Sequence, residues 1–579
     1  MKQQEIIESL PLHLRPFVTT QRYGDYTPQD QAAWRFIMKH LVSQLTHTAH
    51  PAYLQGLAKT GITLDRIPAI EEMNECLREL GWQAVVVDGF IPPAIFMEFQ
   101  ALKVLVIALE MRSAKNLFYT PAPDIVHESA GHAPFIVDTD YAEFLQRFGE
   151  VGMKAVATKA DLEQYEAVRQ LSILKESPDA TEVQIAEAES ALMGLYRRDD
   201  MPSEAALLTR LHWWTVEYGL VGSPEDYKIF GAGILSSLGE SCRCLDDEAV
   251  RKIPLTVNAI NTPYDITTEQ PQLFVTQSCK HLTQVLEDFA ASMCFMKGGA
   301  ESIKKAIQAE SLCTAQYDSG LQVSGKFKQV LCDAVGNAIY LRTEGATQIA
   351  YQDTELSGHG VETHATGFGS PVGRLKGLNK CLSRYSVDEL KTLGIRVGSN
   401  VTLEYLSGIT VNGVLQDIVR CDQRNLLLSF EGCSVDDLNG TVLFSPEWGT
   451  YDLAVGSTIT SVYGGVADRE KLQPFETVTR SQTIKATQDE GLMNAYGVVD
   501  QLRSSRKKIG AGELPDVVEK ALRNHADEWL IRTELLDVVN SELHSAFEMQ
   551  LHDIADRRPE AATGINIALK AASHKPSLQ

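Results

Sequence analysis

The chain has 579 residues, 44% apolar and 22% charged, which is ordinary for a globular protein and too long for one hydrophobic core; about two to four domains are expected. A formal net charge of −23 argues against nucleic acid or an anionic membrane surface as a partner. Ten cysteines without a CxxC pair, no secretory pattern after Met1-Lys2-Gln3-Gln4-Glu5 and no apolar run of membrane-spanning length lead us to expect a cytoplasmic protein with reduced thiols.

In chain order, residues 1 to about 100 read as helices with turn-rich connections. Gln29 to Leu45 carries apolar residues at helical spacing, with Trp34, Phe36, Ile37 and Leu41 on one side. Next comes Pro123-Asp124-Ile125-Val126-His127-Glu128-Ser129-Ala130-Gly131-His132, set among apolar residues such as Phe118, Phe135, Ile136 and Val137. Buried imidazoles and carboxylates need partners, and a metal ion is the commonest one they can share. The zinc-protease pattern puts its two histidines at i and i+4 on one helical face. Here they stand at i and i+5, about 140° apart on an ideal helix. One ion can reach both only if the helix loosens at Gly131 or ends before Pro134, so a zinc hydrolase is disfavoured.

The stretch 152–205 holds two helix-like segments, around 161–175 and 182–197. Beyond it lies Leu211-His212-Trp213-Trp214-Thr215-Val216-Glu217-Tyr218-Gly219-Leu220. Glu217 is a lone acid in an aromatic, apolar run, where an unpaired carboxylate is costly. With His127 and His132 it makes the two-His-one-carboxylate set of non-haem Fe(II) oxygenases. Phe230 to Glu240, rich in small residues, reads as a close-packed wall rather than a helix face, and residues 281–295 as an amphipathic helix.

After Lys297-Gly298-Gly299 the texture changes to short β-type runs, from about 320 to 470. Asn412-Gly413, between Ile409-Thr410-Val411 and Val414-Leu415, predicts a hairpin turn. His359-Gly360-Val361-Glu362-Thr363-His364, followed by Gly367, Gly369 and Gly373, reads as a mobile glycine-rich loop; a second metal site is the lesser alternative. Helical patterning returns from about 485 to 572, with an apolar stripe through Trp529, Leu535, Val539, Phe547 and Leu551.

Three stretches together carry a resemblance: Tyr119-Thr120-Pro121-Ala122-Pro123-Asp124-Ile125-Val126-His127-Glu128 with Gly131-His132, then Trp213 to Gly219, then Gly231 to Glu240. In order and composition they are similar to the pterin-dependent aromatic amino acid hydroxylases, the phenylalanine 4-hydroxylases above all, from about Tyr26 to about Ser292. The resemblance implies His127, His132 and Glu217 as iron ligands at the catalytic centre and Asp124 as the residue orienting His127. It implies Phe96 and Glu128 against the pterin, and Arg112 and Thr120 on the amino acid carboxylate with Ser236 nearby. Trp213 and Val275 are expected to line the ring pocket. The cofactors implied are Fe(II) and a tetrahydropterin of the tetrahydrobiopterin type, with O2 as co-substrate.

The implied activity is hydroxylation of an aromatic amino acid, phenylalanine to tyrosine. His212 stands where the family usually has Tyr, and Val106 where the phenylalanine enzymes usually have His. Tryptophan or another aromatic substrate is therefore the alternative, and a non-catalytic pterin or amino acid sensor a further one. The fold expected is a mainly α catalytic domain with short β strands over 1–300, an insertion at 152–205 included. A β-rich domain of unknown role over 301–480 and a helical C-terminal region over 481–579 follow, the last as a candidate for self-association.

Overall fold

The computed structural model describes residues 2–114, 116–118, 123–177, 179–196, 201–266, 268–471, 489–506, 508–510 and 512–573. Its organising element is the helix Pro28–Leu45. Thr27 caps it: the hydroxyl accepts the Asp30 N–H at 3.1 Å and the Asp30 carboxylate accepts the Thr27 N–H at 2.9 Å. Proline at the first helical position completes the start, since its missing N–H would have no partner there. Trp34, Phe36, Ile37 and Leu41 are all buried, as their spacing predicts.

The apolar run at Val104 is a buried strand. Val104–Ala108 pairs in parallel with Gln83–Val87, and the helix Pro93–Ala101 makes the crossover. The helices Lys159–Glu176 and Glu182–Tyr196 form a hairpin bridged by Lys175 Nζ to Glu189 Oε1 at 2.9 Å. A four-stranded sheet runs Asp226–Ile229, Gly219–Ser223, Gln272–Thr276, Arg251–Pro254. The predicted 281–295 helix is Cys279–Ala290, with a short turn Cys294–Lys297 after it.

From Leu312 two antiparallel sheets take over. Leu312–Tyr317, Leu321–Cys332 and Ala338–Tyr351 form the first, to which the chain returns with Ile459–Gly464. Asn400–Glu404, Thr410–Cys421 and Arg424–Asp436 lead the second. The hairpin predicted at Asn412-Gly413 is absent: both residues lie inside the strand Thr410–Cys421, where the register slips between Asn412 and Val414. Gly413 serves a bulge instead, with room for a Cβ blocked by Cys433 at 3.0 Å. The turn falls at Asp422-Gln423, whose φ values of 46° and 64° are those of a type I′ hairpin. Gly369–Pro371, predicted within a mobile loop, pairs with Arg342, Leu341 and Tyr340 as a strand.

The C-terminal helices, from Glu490–Ser505 to Pro559–Ser573, do not form a free-standing layer. Leu530, Leu535, Val539, Phe547 and Leu551 lie in the same apolar cluster as Trp34 and Phe135. Arg35, itself buried, donates from Nε and Nη2 to Glu534 at 2.9 and 2.6 Å and from Nη1 to Asp500 at 2.9 Å. The stripe that suggested self-association is therefore used within this chain, in part against Pro28–Leu45 and in part between the C-terminal helices themselves. Among the described residues no helix is long and apolar enough to cross a membrane.

Candidate active site and metal centre

The i, i+5 problem is solved by a π-helical turn over Val126–His132. A π turn closes i to i+5 hydrogen bonds, so residues five apart come to lie on one side. His127 Nε2 and His132 Nε2 then stand 3.1 Å apart. The helix loosens over the whole turn, Gly131 included, and gives way after His132 to the tighter 3-10 turn Ala133–Val137, which holds Pro134. A second π-helical turn, Trp213–Glu217, delivers Glu217 just before the strand Gly219–Ser223. Its two carboxylate oxygens lie 3.2 Å from His127 Nε2 and 3.3 Å from His132 Nε2. Donors each about 2.0–2.2 Å from one ion stand roughly 3.0–3.5 Å apart, so these three fit a single metal.

The wall segment does its packing with glycines, although it contains two short helices, Ala232–Leu235 and Leu238–Arg243. A Cβ on Gly131 would meet the Ala232 carbonyl oxygen at 2.8 Å, and one on Gly231 the Glu217 carbonyl oxygen at 2.5 Å. Only bare backbone lets the two ligand-bearing turns and this segment meet.

Ser236 comes from that segment and has a sharper position than the sequence suggests. Its Oγ donates to the Ala232 carbonyl at 2.7 Å and lies 3.0 Å from His127 Nδ1. With its proton spent, the oxygen accepts from Nδ1–H, which leaves the Nε2 lone pair for a metal. Asp124, expected to orient His127, touches its backbone and not its ring: Oδ1 accepts the His127 N–H at 3.0 Å. Asp124 is otherwise held by Arg112, with Nε at 2.7 Å, Nη2 at 2.8 Å and the backbone N–H at 3.0 Å. Burial alone would lift the Asp124 carboxyl, but the Arg112 charge and these hydrogen bonds hold it below its ordinary value. Arg112 Nη1 also donates to the Ser236 carbonyl at 3.2 Å, leaving one N–H on each terminal nitrogen for another acceptor.

Glu217 is buried, which would raise its pKa, yet the neighbouring His132 and His127 keep it well below the usual carboxylate range. Glu128, 8% exposed in the same π turn, is pushed by burial up to about 8. His212 is a third imidazole that the sequence marked only as a departure. Its Nδ1 is 3.7 Å from Glu217 Oε1, and its ring sits between Phe96 and Phe148, with centroids 6.2 and 5.1 Å away. Burial lowers it to about 4, so it is neutral. Phe96 thus borders the site edge-on to His212.

Trp213 stacks on Tyr264 at 4.3 Å and on Tyr218 at 4.6 Å, and its Nε1 donates to Gln270 Oε1 at 3.3 Å. Val275 is buried in the strand Gln272–Thr276, opposite Leu220. Val106 is core, paired with Val85. Thr120, with 119–122, lies outside the described residues.

Comparison with known proteins identifies the family of this part of the chain. The family model of biopterin-dependent aromatic amino acid hydroxylases matches residues 19–172 and 182–297, so within the stretch read as an insertion only 173–181 falls outside it. A phenylalanine-4-hydroxylase of Ralstonia nicotianae is 30% identical over 272 residues, 46% of this chain and 73% of that protein. One from Chromobacterium violaceum is 29% identical over 268 residues, 46% of this chain and 75% of that protein. A crystal structure of the Chromobacterium violaceum phenylalanine hydroxylase, with iron(III) and 7,8-dihydrobiopterin, aligns at 27% identity and a TM-score of 0.38, covering 48% of this chain and 85% of that one. Through its first three hundred residues, the chain belongs to the biopterin-dependent aromatic amino acid hydroxylases.

Proposed function

We propose that the protein is a monooxygenase that converts phenylalanine to tyrosine with Fe(II), a tetrahydropterin and O2. The observation that carries this reading is the convergence of His127, His132 and Glu217 on one point, in a chain whose relatives are named phenylalanine-4-hydroxylases. These three side chains would hold the iron. When bound, iron and the reduced pterin together supply the activation of O2.

The chain's own residues do the rest by position and proton placement. Ser236 keeps the His127 proton on Nδ1. The π-helical turns fix both imidazoles and the carboxylate before the ligand arrives, so little ordering remains to be done on binding. Phe96 and Glu128 are assigned to the pterin, the first by its face, the second as a carboxyl that holds a proton near neutral pH. The Arg112 N–H groups that neither Asp124 nor Ser236 takes up among the described residues, and Thr120, are assigned to the amino acid carboxylate. Trp213 and Val275 are assigned to the ring pocket. Apolar side chains pack around the centre, in which His132 is buried and His127 and Glu217 are half-buried, and limit the water that reaches it.

Residues 1–300 are the catalytic unit in this reading, and the helices after 481 complete its core. Ten unpaired cysteines suit a reducing cytoplasm. The test is anaerobic Fe(II) reconstitution, then tetrahydropterin oxidation under O2 with phenylalanine, tyrosine or tryptophan, with products followed by mass. Stoichiometric tyrosine from phenylalanine, lost in His127→Ala, is the expected result. Hydroxylated tryptophan alone would move the substrate assignment; pterin and amino acid binding without turnover would make the protein a sensor; failure to bind iron would overturn the reading.

A further inference from the structure

The β-rich region holds a second convergence of metal-binding side chains, remote in sequence from the hydroxylase centre. His359 and His364 sit on the loop between Thr354–Glu355 and Gly369–Pro371. That loop is tied down on both sides of each imidazole. The His359 N–H donates to the Leu356 carbonyl at 2.9 Å and its carbonyl accepts the Ile349 N–H at 3.0 Å; the His364 carbonyl accepts the Thr347 N–H at 3.1 Å. The loop is therefore anchored to the long strand Ala338–Tyr351, not mobile as its glycines suggest.

The third member comes from the other sheet. Asp452, in the strand Tyr451–Ala454, faces Ser429 across the ladder, and its Oδ1 accepts the Ser429 hydroxyl. Its Oδ2 is left pointing at both imidazoles, 3.6 Å from His359 Nδ1 and 3.6 Å from His364 Nε2. Those distances are too long for hydrogen bonds. His359 Nδ1 and His364 Nε2 are both buried and have no hydrogen-bond partner among the described residues. The two rings lie nearly parallel, 16° apart with centroids at 5.7 Å, and Phe368 packs edge-on against His364.

A buried pair of imidazoles and a carboxylate could be only an ion pair. An ion pair is expected to close to hydrogen-bond contact, as His13 Nε2 and Glu98 do at 2.9 Å elsewhere in this chain, although His13 Nδ1 stops 3.6 Å from Glu470. Here three donor atoms, all within 4.8 Å of one another, stop short of contact around a common point. Donors on one ion at about 2.0–2.2 Å stand roughly 3.5 Å apart in tetrahedral geometry, the spacing seen for both His–Asp pairs.

We propose that His359 Nδ1, His364 Nε2 and Asp452 Oδ2 form a second metal site, which binds a divalent first-row transition ion of the zinc class. Two nitrogens and one carboxylate oxygen select such an ion over calcium or magnesium. Three protein ligands leave at least one position for water or an exogenous ligand. The ion joins the loop of the first sheet to a strand of the second.

The test uses the full chain with His127→Ala and His132→Ala, which removes the hydroxylase centre, and Co(II) as probe, with Zn(II) as competitor. The expected result is one cobalt per chain with visible ligand-field bands, displaced by zinc. Either His364→Gln or Asp452→Asn, added to that background, should abolish it. Retention of the full equivalent in both added variants, or no cobalt in a background that keeps its native circular dichroism, would overturn the proposal. Should both added variants unfold, 15N shifts of the histidine rings in the background protein decide. Zinc-dependent shifts at His359 Nδ1 and His364 Nε2 support the site, and unchanged shifts overturn it.

Discussion

At the scale of the residue, the centre depends on small groups that hold larger ones. Ser236 is the clearest. Its hydroxyl meets His127 at Nδ1, the ring nitrogen turned away from His132 and Glu217, and it fixes which nitrogen carries the proton. We expect Ser236→Ala to lower Fe(II) affinity by about 10–100-fold, the usual effect of removing a ligand's hydrogen-bond partner. A chelator competition titration measures this, with the thermal midpoint little changed. Glu240 makes a separate prediction. Burial, and then the like charge of Glu269, push it up to about 7 from an ordinary 4.5. Between those values the native state holds a proton that the unfolded state has released, so stability falls as pH rises through that window and levels off above it. Glu240→Gln removes this slope and still offers a carbonyl to the Gln270 N–H. The variant should match the wild type near pH 4 and exceed it above pH 7 by on the order of 2 kcal/mol, read from urea midpoints. The identity of the ligands was legible in the sequence because His, Glu and lone buried acids have few other uses. The partners of those ligands were not. Nothing in a string of Ser, Gly and Ala says which hydroxyl meets which ring.

Among the elements, local chemistry predicted helices better than turns. The apolar spacing of Gln29 to Leu45 predicts a helix, and the helix Pro28–Leu45 is there, its start set by Thr27, Pro28 and Asp30. Asn412-Gly413 announces a hairpin just as strongly, and the announcement fails. The strand Arg424–Asp436 continues past it and pairs on, absorbing the glycine as a bulge against Cys433. Long-range pairing overrode a short-range preference. The true turn uses Asp422-Gln423, where Gln423 carries φ 64° at a position glycine adopts without a Cβ penalty. Gln423→Gly should therefore raise the stability of the β-rich region by about 0.5–1 kcal/mol, visible as a higher midpoint in thermal unfolding. The Arg420 hydrogen bond to this turn is kept, because its acceptor is the Gln423 carbonyl.

Over the whole molecule, the ends of the chain are joined. Arg35, in the first long helix, is buried against Glu534 and Asp500, and Phe36 meets Trp529 edge-on at 5.2 Å. The β-rich region is tied in as well: Arg469 Nη1 reaches Glu98 at 2.7 Å, and Glu98 pairs with His13. Ending the chain at 471 would leave Arg35 buried or half-buried without carboxylates and would uncover the apolar surface now under Trp529, Leu530 and Leu535. We expect that truncation to bind a hydrophobic dye and to scatter light as aggregates, where the full chain does neither. A truncated chain that stays dispersed and binds iron like the full chain would mean that the tail is not part of the catalytic core.

The sequence by itself determined the chemistry of the centre: two histidines and one acid in apolar settings, with flanking motifs specific enough to imply a family. It also determined the sheets and helices wherever periodicity or a cap was strong. Tertiary structure decided how those residues meet. The π-helical turns that bring His127 and His132 together, the glycine contacts that admit Ser236, and the burial of the C-terminal stripe against Pro28–Leu45 depend on close approach between distant segments. So does the meeting of His359 and His364 with Asp452, where the sequence showed the nearby Glu362 as the companion acid. Side-chain type is a local property; which side chains share a point in space is set by how the whole chain packs.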